Sequence, residues 1–308
     1  MGSNPPDIIR PEEIDQLGTR QAWMPTKSGR RVSYYQYGAA DGFPAFFCHG
    51  TGSHVHAMCL HKTAETFAYR LIVPDRTGIG LSDFDPKTTL LDEANDIANL
   101  ADHLGIDRFG LIGLSGGGPT LFAAAHSFPE RLEFVVALAC AAPLYTDPVA
   151  SRQLGLGDRI YAKLGKWLPL SLFQIPFGWM GRQIRKNPAS FAKMFASSMC
   201  PADSEVFRDK NFQLMFLRDW QELFKQGPKG ASLDAQLTYL PWGFDLRDIR
   251  CRIEIRHGSE DRWVPPSFSR YLASTLPDAT LHMIPGQGHF YHLVQSREFF
   301  ETLSRNEL

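Results

Sequence analysis

Ser115 lies in Gly113-Leu114-Ser115-Gly116-Gly117, a match to G-x-S-x-G. A serine hydroxyl becomes a nucleophile when a base takes its proton and a sharp turn holds it exposed, with glycines relieving the crowding. The five-letter pattern is short, but its setting is specific. It joins an apolar run, Arg108–Leu114, to a stretch of small residues, Gly116–Pro129. A dinucleotide loop, G-x-G-x-x-G, needs Gly at position 115, and the Gly-Lys-Ser/Thr ending of a phosphate loop is absent.

The base that suits this serine is His289, in Gly286-Gln287-Gly288-His289-Phe290, on a Gly-flanked turn late in the chain. His257 ends an apolar run and His282 lies within one, as core histidines do, while His103 and His126 fall on helical patterns. A carboxylate must orient the imidazole and stabilise its charged form, and it should follow a strand between Ser115 and His289. Asp261, in His257-Gly258-Ser259-Glu260-Asp261-Arg262-Trp263, fits that place; Glu260 is the adjacent competitor and Asp147 a remoter one. An oxyanion needs two preorganised donors. The Gly116 amide is one, and the Thr51 amide in His49-Gly50-Thr51-Gly52-Ser53 is the other.

These residues need a frame, and the chain supplies one by alternation. Arg30–Gly38, Ala45–Gly50, Tyr69–Asp75, Arg108–Leu114 and Leu132–Cys140 read as strands, several of them continuous apolar runs of the doubly covered kind. Between them, Leu90–Ile106 has helical spacing with Gly105 as its C-cap. From Tyr145 to about Gly243 strand signals thin out, and four of the six Trp but none of the ten His fall there. The alternation resumes with Arg250–Gly258, a helix over Ser267–Pro277, Ala279–Pro285, and a closing helix over Phe290–Ser304. One α/β core, 26–144 and 244–308, with a helical insertion over 145–243, accounts for the pattern. Residues 1–25 read as an N-terminal arm, because Pro5, Pro6 and Pro11 oppose early helix.

Composition narrows the partners. Lys+Arg 32 against Asp+Glu 33 gives a net charge of −1 over 308 residues, without the footprint of a nucleic-acid or anionic-membrane binder. The longest nearly unbroken apolar run, Phe134–Leu144, falls short of the roughly 18 residues of a membrane span. Five sparse Cys, with Cys48, Cys140 and Cys251 in or beside apolar runs, argue against a disulfide framework. No secretory or lipidation signal is visible in the termini. The expectation is a cytoplasmic protein, monomeric or homodimeric, with no membrane span. His54, His56 and His61 cluster in sequence without the carboxylate or Cys that would complete a metal-ligand spacing.

His49–Ser53, Pro74–Asp83, Gly113–Pro119, His257–Pro265 and Gly286–Phe290 together resemble the α/β-hydrolase fold family, in its order and spacing. The resemblance runs from about Arg30 to the C-terminus, apart from the insertion. It implies an eight-stranded, mostly parallel sheet flanked by helices, a helical cap after the sixth strand, no metal and no organic cofactor. Ser115 stands where epoxide hydrolases and haloalkane dehalogenases carry Asp, which disfavours those reactions. HGTGS is also unlike the HGGG loop of hormone-sensitive-lipase relatives. The expected activity is a serine hydrolase for a small hydrophobic or amphipathic ester, lactone or thioester. C–C bond hydrolysis, lyase or cyclase chemistry with the same triad is the alternative, followed by a non-enzymatic ligand receptor.

Overall fold

The computed structural model describes residues 20–143, 159 and 167–304. Eight strands form one sheet: β1 Gln21–Pro25, β2 Arg31–Gly38, β3 Phe43–Cys48, β4 Tyr69–Pro74, β5 Phe109–Leu114, β6 Leu132–Leu138, β7 Ile253–Gly258 and β8 Ala279–Ile284. Their order is β1-β2-β4-β3-β5-β6-β7-β8. The β1–β2 and β2–β4 pairs are antiparallel and the remaining pairs parallel. This is the eight-stranded, mostly parallel sheet that the family resemblance implied.

Parallel strands need helices over both faces, and the apolar residues divide accordingly. One face is covered by α1 (Val55–Met58), α2 (His61–Thr66), α11 (Tyr291–Val294) and α12 (Ser296–Ser304); the other by α3 (Leu90–His103), α4 (Gly118–Ser127) and α10 (Pro266–Thr275). Every residue of central strand β5 is buried. Local signals set the helix ends. Thr89 and Asp92 form a reciprocal capping box at the start of α3. Gly105, at φ 69°, ends it as expected, with the Ile106 amide returning to the Ala101 carbonyl.

Between β6 and β7 the described chain is helical: α5 (Leu170–Lys186), α6 (Pro188–Ala196), α7 (Pro201–Phe207), α8 (Lys210–Leu223) and α9 (Lys229–Tyr239). Phe191, Phe212 and Trp220 of this insertion join Phe47 and Phe290 in one continuous apolar cluster, while Leu237, Tyr239 and Trp242 pack with the cluster on the other side of the sheet. No described helix is long and apolar enough to cross a membrane.

Two expectations change. The arm ends earlier than residue 25, because Gln21–Pro25 is an edge strand paired with Arg31–Tyr35. Five residues with one buried side chain, Met24, give too little alternation to be read from sequence. The closing helix is broken at Gln295 into α11 and α12. Residues 1–19, Asp147 and the expected boundary at residues 144 and 145 lie outside the described residues.

Candidate active site

The turn after β5 holds Ser115 at φ 52°, a left-handed conformation that side chains other than glycine rarely adopt. The glycines around it are there for close approach. A Cβ on Gly117 would lie 2.2 Å from the Cys48 carbonyl oxygen, and one on Gly118 2.6 Å from Cβ of Cys140. Gly117 and Gly118 thus let α4 start hard against the ends of the neighbouring strands. A Cβ on Gly116 would meet Thr51, 2.7 Å from its Oγ1 and 3.2 Å from its amide nitrogen. The Thr51 and Gly116 backbones, the two expected oxyanion donors, therefore lie close together.

His289 follows β8 and is buried. Its Nδ1 is 2.7 Å from Asp261 Oδ2. A carboxylate only accepts, so Nδ1 carries the proton and Nε2 keeps its lone pair. Asp261 is fixed in turn: its Oδ1 accepts from the Trp263 amide at 2.8 Å and the Val264 amide at 3.0 Å. Its Oδ2 also meets His257 Nε2 at 3.1 Å. The Val264 carbonyl is 3.0 Å from the same His257 nitrogen, so Nε2–H donates, while Nδ1 accepts from the Ser269 hydroxyl at 2.6 Å. His257 is thus a satisfied core histidine with a further duty, supporting Asp261. Glu260 is exposed and points its carboxylate toward Ser259 Oγ instead.

Charge follows from this geometry. Burial alone would raise the Asp261 pKa, but the His289 charge and the hydrogen bonds from His257 and His289 hold its carboxyl well below the usual range. Burial alone would lower the His289 pKa, and the Asp261 carboxylate outweighs it, so the imidazole is a stronger base than usual.

Ser115, Gly116, Thr51 and His289 share one cavity of about 590 Å³. The core contributes Leu114, Trp263, Phe268 and Phe290 to its wall, and the insertion Phe177, Met180, Phe195, Phe216 and Trp220. The lining is largely apolar, as a site for small hydrophobic molecules is.

Sequence reasoning missed how the insertion grips this site. Asp203 of α7 accepts from the His289 amide at 2.9 Å and the Phe290 amide at 2.8 Å. Asp219 of α8 accepts from the Ser53 amide at 2.7 Å and the Ser53 hydroxyl at 2.8 Å. Asp234 of α9 binds Arg76 through both oxygens, at 2.6 and 2.9 Å, and Arg76 donates to the His49 and Gly50 carbonyls. Three buried aspartates thus each hold a loop that carries an expected site residue. No local pattern marks them, since they resemble ordinary helical carboxylates. His54, His56 and His61 do not converge: His54 pairs with Asp75, His56 Nε2 with His292 Nε2, and His61 Nδ1 accepts from the Gly38 amide. His56 also lines the cavity, and burial pushes its pKa down to about 3, so it is neutral there.

A model of the alpha/beta hydrolase family matches residues 45–302. The chain belongs to this family. Its curated relatives include a 2-hydroxy-6-oxononadienedioate/2-hydroxy-6-oxononatrienedioate hydrolase of Burkholderia vietnamiensis, 25% identical over 278 residues that cover 87% of this chain and 88% of that one. A cis-3-alkyl-4-alkyloxetan-2-one decarboxylase of Xanthomonas campestris is 26% identical over 255 residues, covering 73% of this chain and 79% of the other. Among solved structures, an esterase from Exiguobacterium antarcticum matches with a TM-score of 0.69 at 18% identity, over 93% of this chain and 99% of that one. That last likeness is one of fold. The hydrolase family and its sheet are therefore shared, while the named substrates belong to the relatives.

Proposed function

We propose that this alpha/beta hydrolase cleaves a small, largely hydrophobic ester, lactone or thioester through an acyl-enzyme. Ser115 Oγ attacks the carbonyl carbon, and its proton passes to His289 Nε2. Asp261 holds the imidazole tautomer and stabilises the imidazolium. The Thr51 and Gly116 amides receive the oxyanion, an interaction worth about 10²–10³ in turnover per donor. His289 then returns the proton to the leaving oxygen or sulfur. Water, deprotonated by His289, releases the acyl group. Residues 145–243 act as a cap over the cavity, and 26–144 with 244–308 as the catalytic core.

One observation carries this reading. Ser115, strained at φ 52°, opens onto a cavity it shares with His289, whose Nδ1 is bonded to a buried carboxylate. Strain of that kind persists where the surroundings enforce it, as at a nucleophile. Ser115→Ala should abolish ester turnover and fluorophosphonate labelling together. Labelling that survives in the variant would place the nucleophile elsewhere.

The second reading, C–C bond cleavage of a vinylogous diketone, is favoured by the name of the Burkholderia relative. Short nitrophenyl esters set against β-diketone substrates separate the two. Inactivity on every ester with turnover of a diketone would replace the first reading with the second.

A further inference from the structure

Five of the seven large hydrophobic side chains that stand exposed among the described residues lie between Trp167 and Met194. Three of them form a row on α5: Leu172, Ile175 and Trp179, spaced three and four residues apart and therefore on one face of the helix. Ile175 is 64% exposed and Trp179 47%. Arg182 and Lys186, both exposed, continue the same row toward the end of the helix. The opposite side is spent on the protein. Phe173 and Ile184 are buried, and Phe177 and Met180 stand in the cavity wall. A helix on a water-facing surface turns polar residues outward. This one turns out an apolar row ending in cations.

The chain-wide charge of −1 conceals how the charge is distributed. Trp167–Cys200 contains four cations, Arg182, Arg185, Lys186 and Lys193, and no carboxylate. All four are exposed. The preceding stretch of sequence, 151–166, adds four cations against the single Asp158.

We infer that the outer face of α5 docks on an anionic lipid surface. Trp, Ile and Leu enter the boundary between headgroups and acyl chains, while the flanking Arg and Lys meet lipid phosphates, the combination that holds interfacial helices. A second copy of the chain is a poorer occupant. A contact between two copies through this face would bury both sets of cations with no carboxylate of Trp167–Cys200 to meet them, whereas lipid phosphates supply that charge. Docking would also bring lipid within about one helix diameter, roughly 10 Å, of the cavity wall formed by Phe177 and Met180. The net charge of a chain misses such a site, because membrane attraction decays within about a Debye length and so reads only the nearest face.

The test is co-sedimentation of the full chain with vesicles of phosphatidylcholine alone and with about 30 mol % phosphatidylglycerol. The parent protein should bind the anionic vesicles and be released as salt rises. Ile175→Asp and Trp179→Asp should each lower that binding about tenfold or more, and Arg182→Glu with Lys186→Glu should remove its dependence on phosphatidylglycerol. Neither Ile175 nor Trp179 lines the cavity, so turnover of a soluble substrate should be unchanged in these variants. An unchanged melting temperature gives the same control should the proposed ester chemistry fail, since vesicle binding requires no turnover. Absence of parent binding to anionic vesicles, or full binding by Ile175→Asp, would overturn the inference. Light scattering that finds a dimer in the parent and a monomer in Ile175→Asp would assign the face to a second copy instead.

Discussion

Asp261 in the core and Asp219 in the insertion are both buried, both bonded to backbone amides, and they ionise in opposite directions. Asp261 faces two imidazoles, and the charge of His289 with the hydrogen bonds from both rings outweighs its burial, so it stays ionised. Asp219 has the Ser53 amide and hydroxyl as its nearest donors. Burial dominates there and pushes its pKa up to about 7. Burial alone does not decide a carboxylate's charge; the charge of its partners does. The two regions divide the work accordingly. The core keeps a permanent charge beside the histidine that must become positive, whereas the insertion uses aspartates as acceptors that hold loops in place.

The largest effect expected from breaking this division is in the core. Asp261→Asn should lower kcat by about 10⁴-fold, because an amide can present the wrong hydrogen-bonding group to His289 Nδ1. The acid limb of the pH–rate profile should also move down, since the carboxylate that raises the His289 pKa is gone. A stopped-flow pH series on one ester measures both. A parent-like profile would remove Asp261 from its proposed role.

Breaking an insertion contact should show first in stability. Asp203→Ala leaves the buried His289 and Phe290 amides without their acceptor. At about 1–3 kcal/mol for each of the two unsatisfied groups, denaturant unfolding should register a loss of about 2–6 kcal/mol. The fall in kcat should be smaller than for Asp261→Asn. An equal or larger fall would make the insertion a direct participant in the chemistry.

The smallest effect sharpens the contrast between the carboxylates. The folded Asp219 carboxyl, with its pKa near 7, holds its proton over a range where the unfolded one, near 3.9, has lost it. The native state binds more protons there, so this residue makes stability fall as pH rises from about 4 to 7. Asp261 does the reverse. Its folded pKa is depressed, so its contribution is complete above the unfolded value and fades as pH drops toward the folded one. Asp219→Asn keeps an acceptor for Ser53 and removes the ionisation. Its stability at pH 7 relative to pH 4.5 should exceed the parent's by about 3 kcal/mol. Parallel curves of melting temperature against pH would show that Asp219 does not titrate in this range.

Much of the frame was legible because its signals are local. Phe109–Leu114 is apolar throughout because it is covered on both faces, and Gly105 ends α3 through contacts within a few residues. Ser115, His289 and Asp261 could be singled out as candidates for another reason. Each stands on a turn just after an apolar run, where neighbouring glycines allow backbone that other residues rarely adopt or a proline marks the turn. The edge strand Gln21–Pro25 was not legible, because one buried residue in five makes no period.

By itself, the sequence determined the alternation of strands and helices and the turns that carry Ser115, Asp261 and His289. Those follow from hydrophobic period and turn chemistry, which act over a few residues. Only the tertiary structure decided which carboxylates matter around them. Asp203 meets His289 across 86 positions, Asp234 meets Arg76 across 158 and Asp219 meets Ser53 across 166. Along the chain these are aspartates on helices like any other; their roles come from burial against amides and an arginine brought to them by packing. The outer row of α5 was hidden in the same way. A period of 3.6 marks a helix with an apolar side, and only its packed position shows that a second apolar row is left facing out.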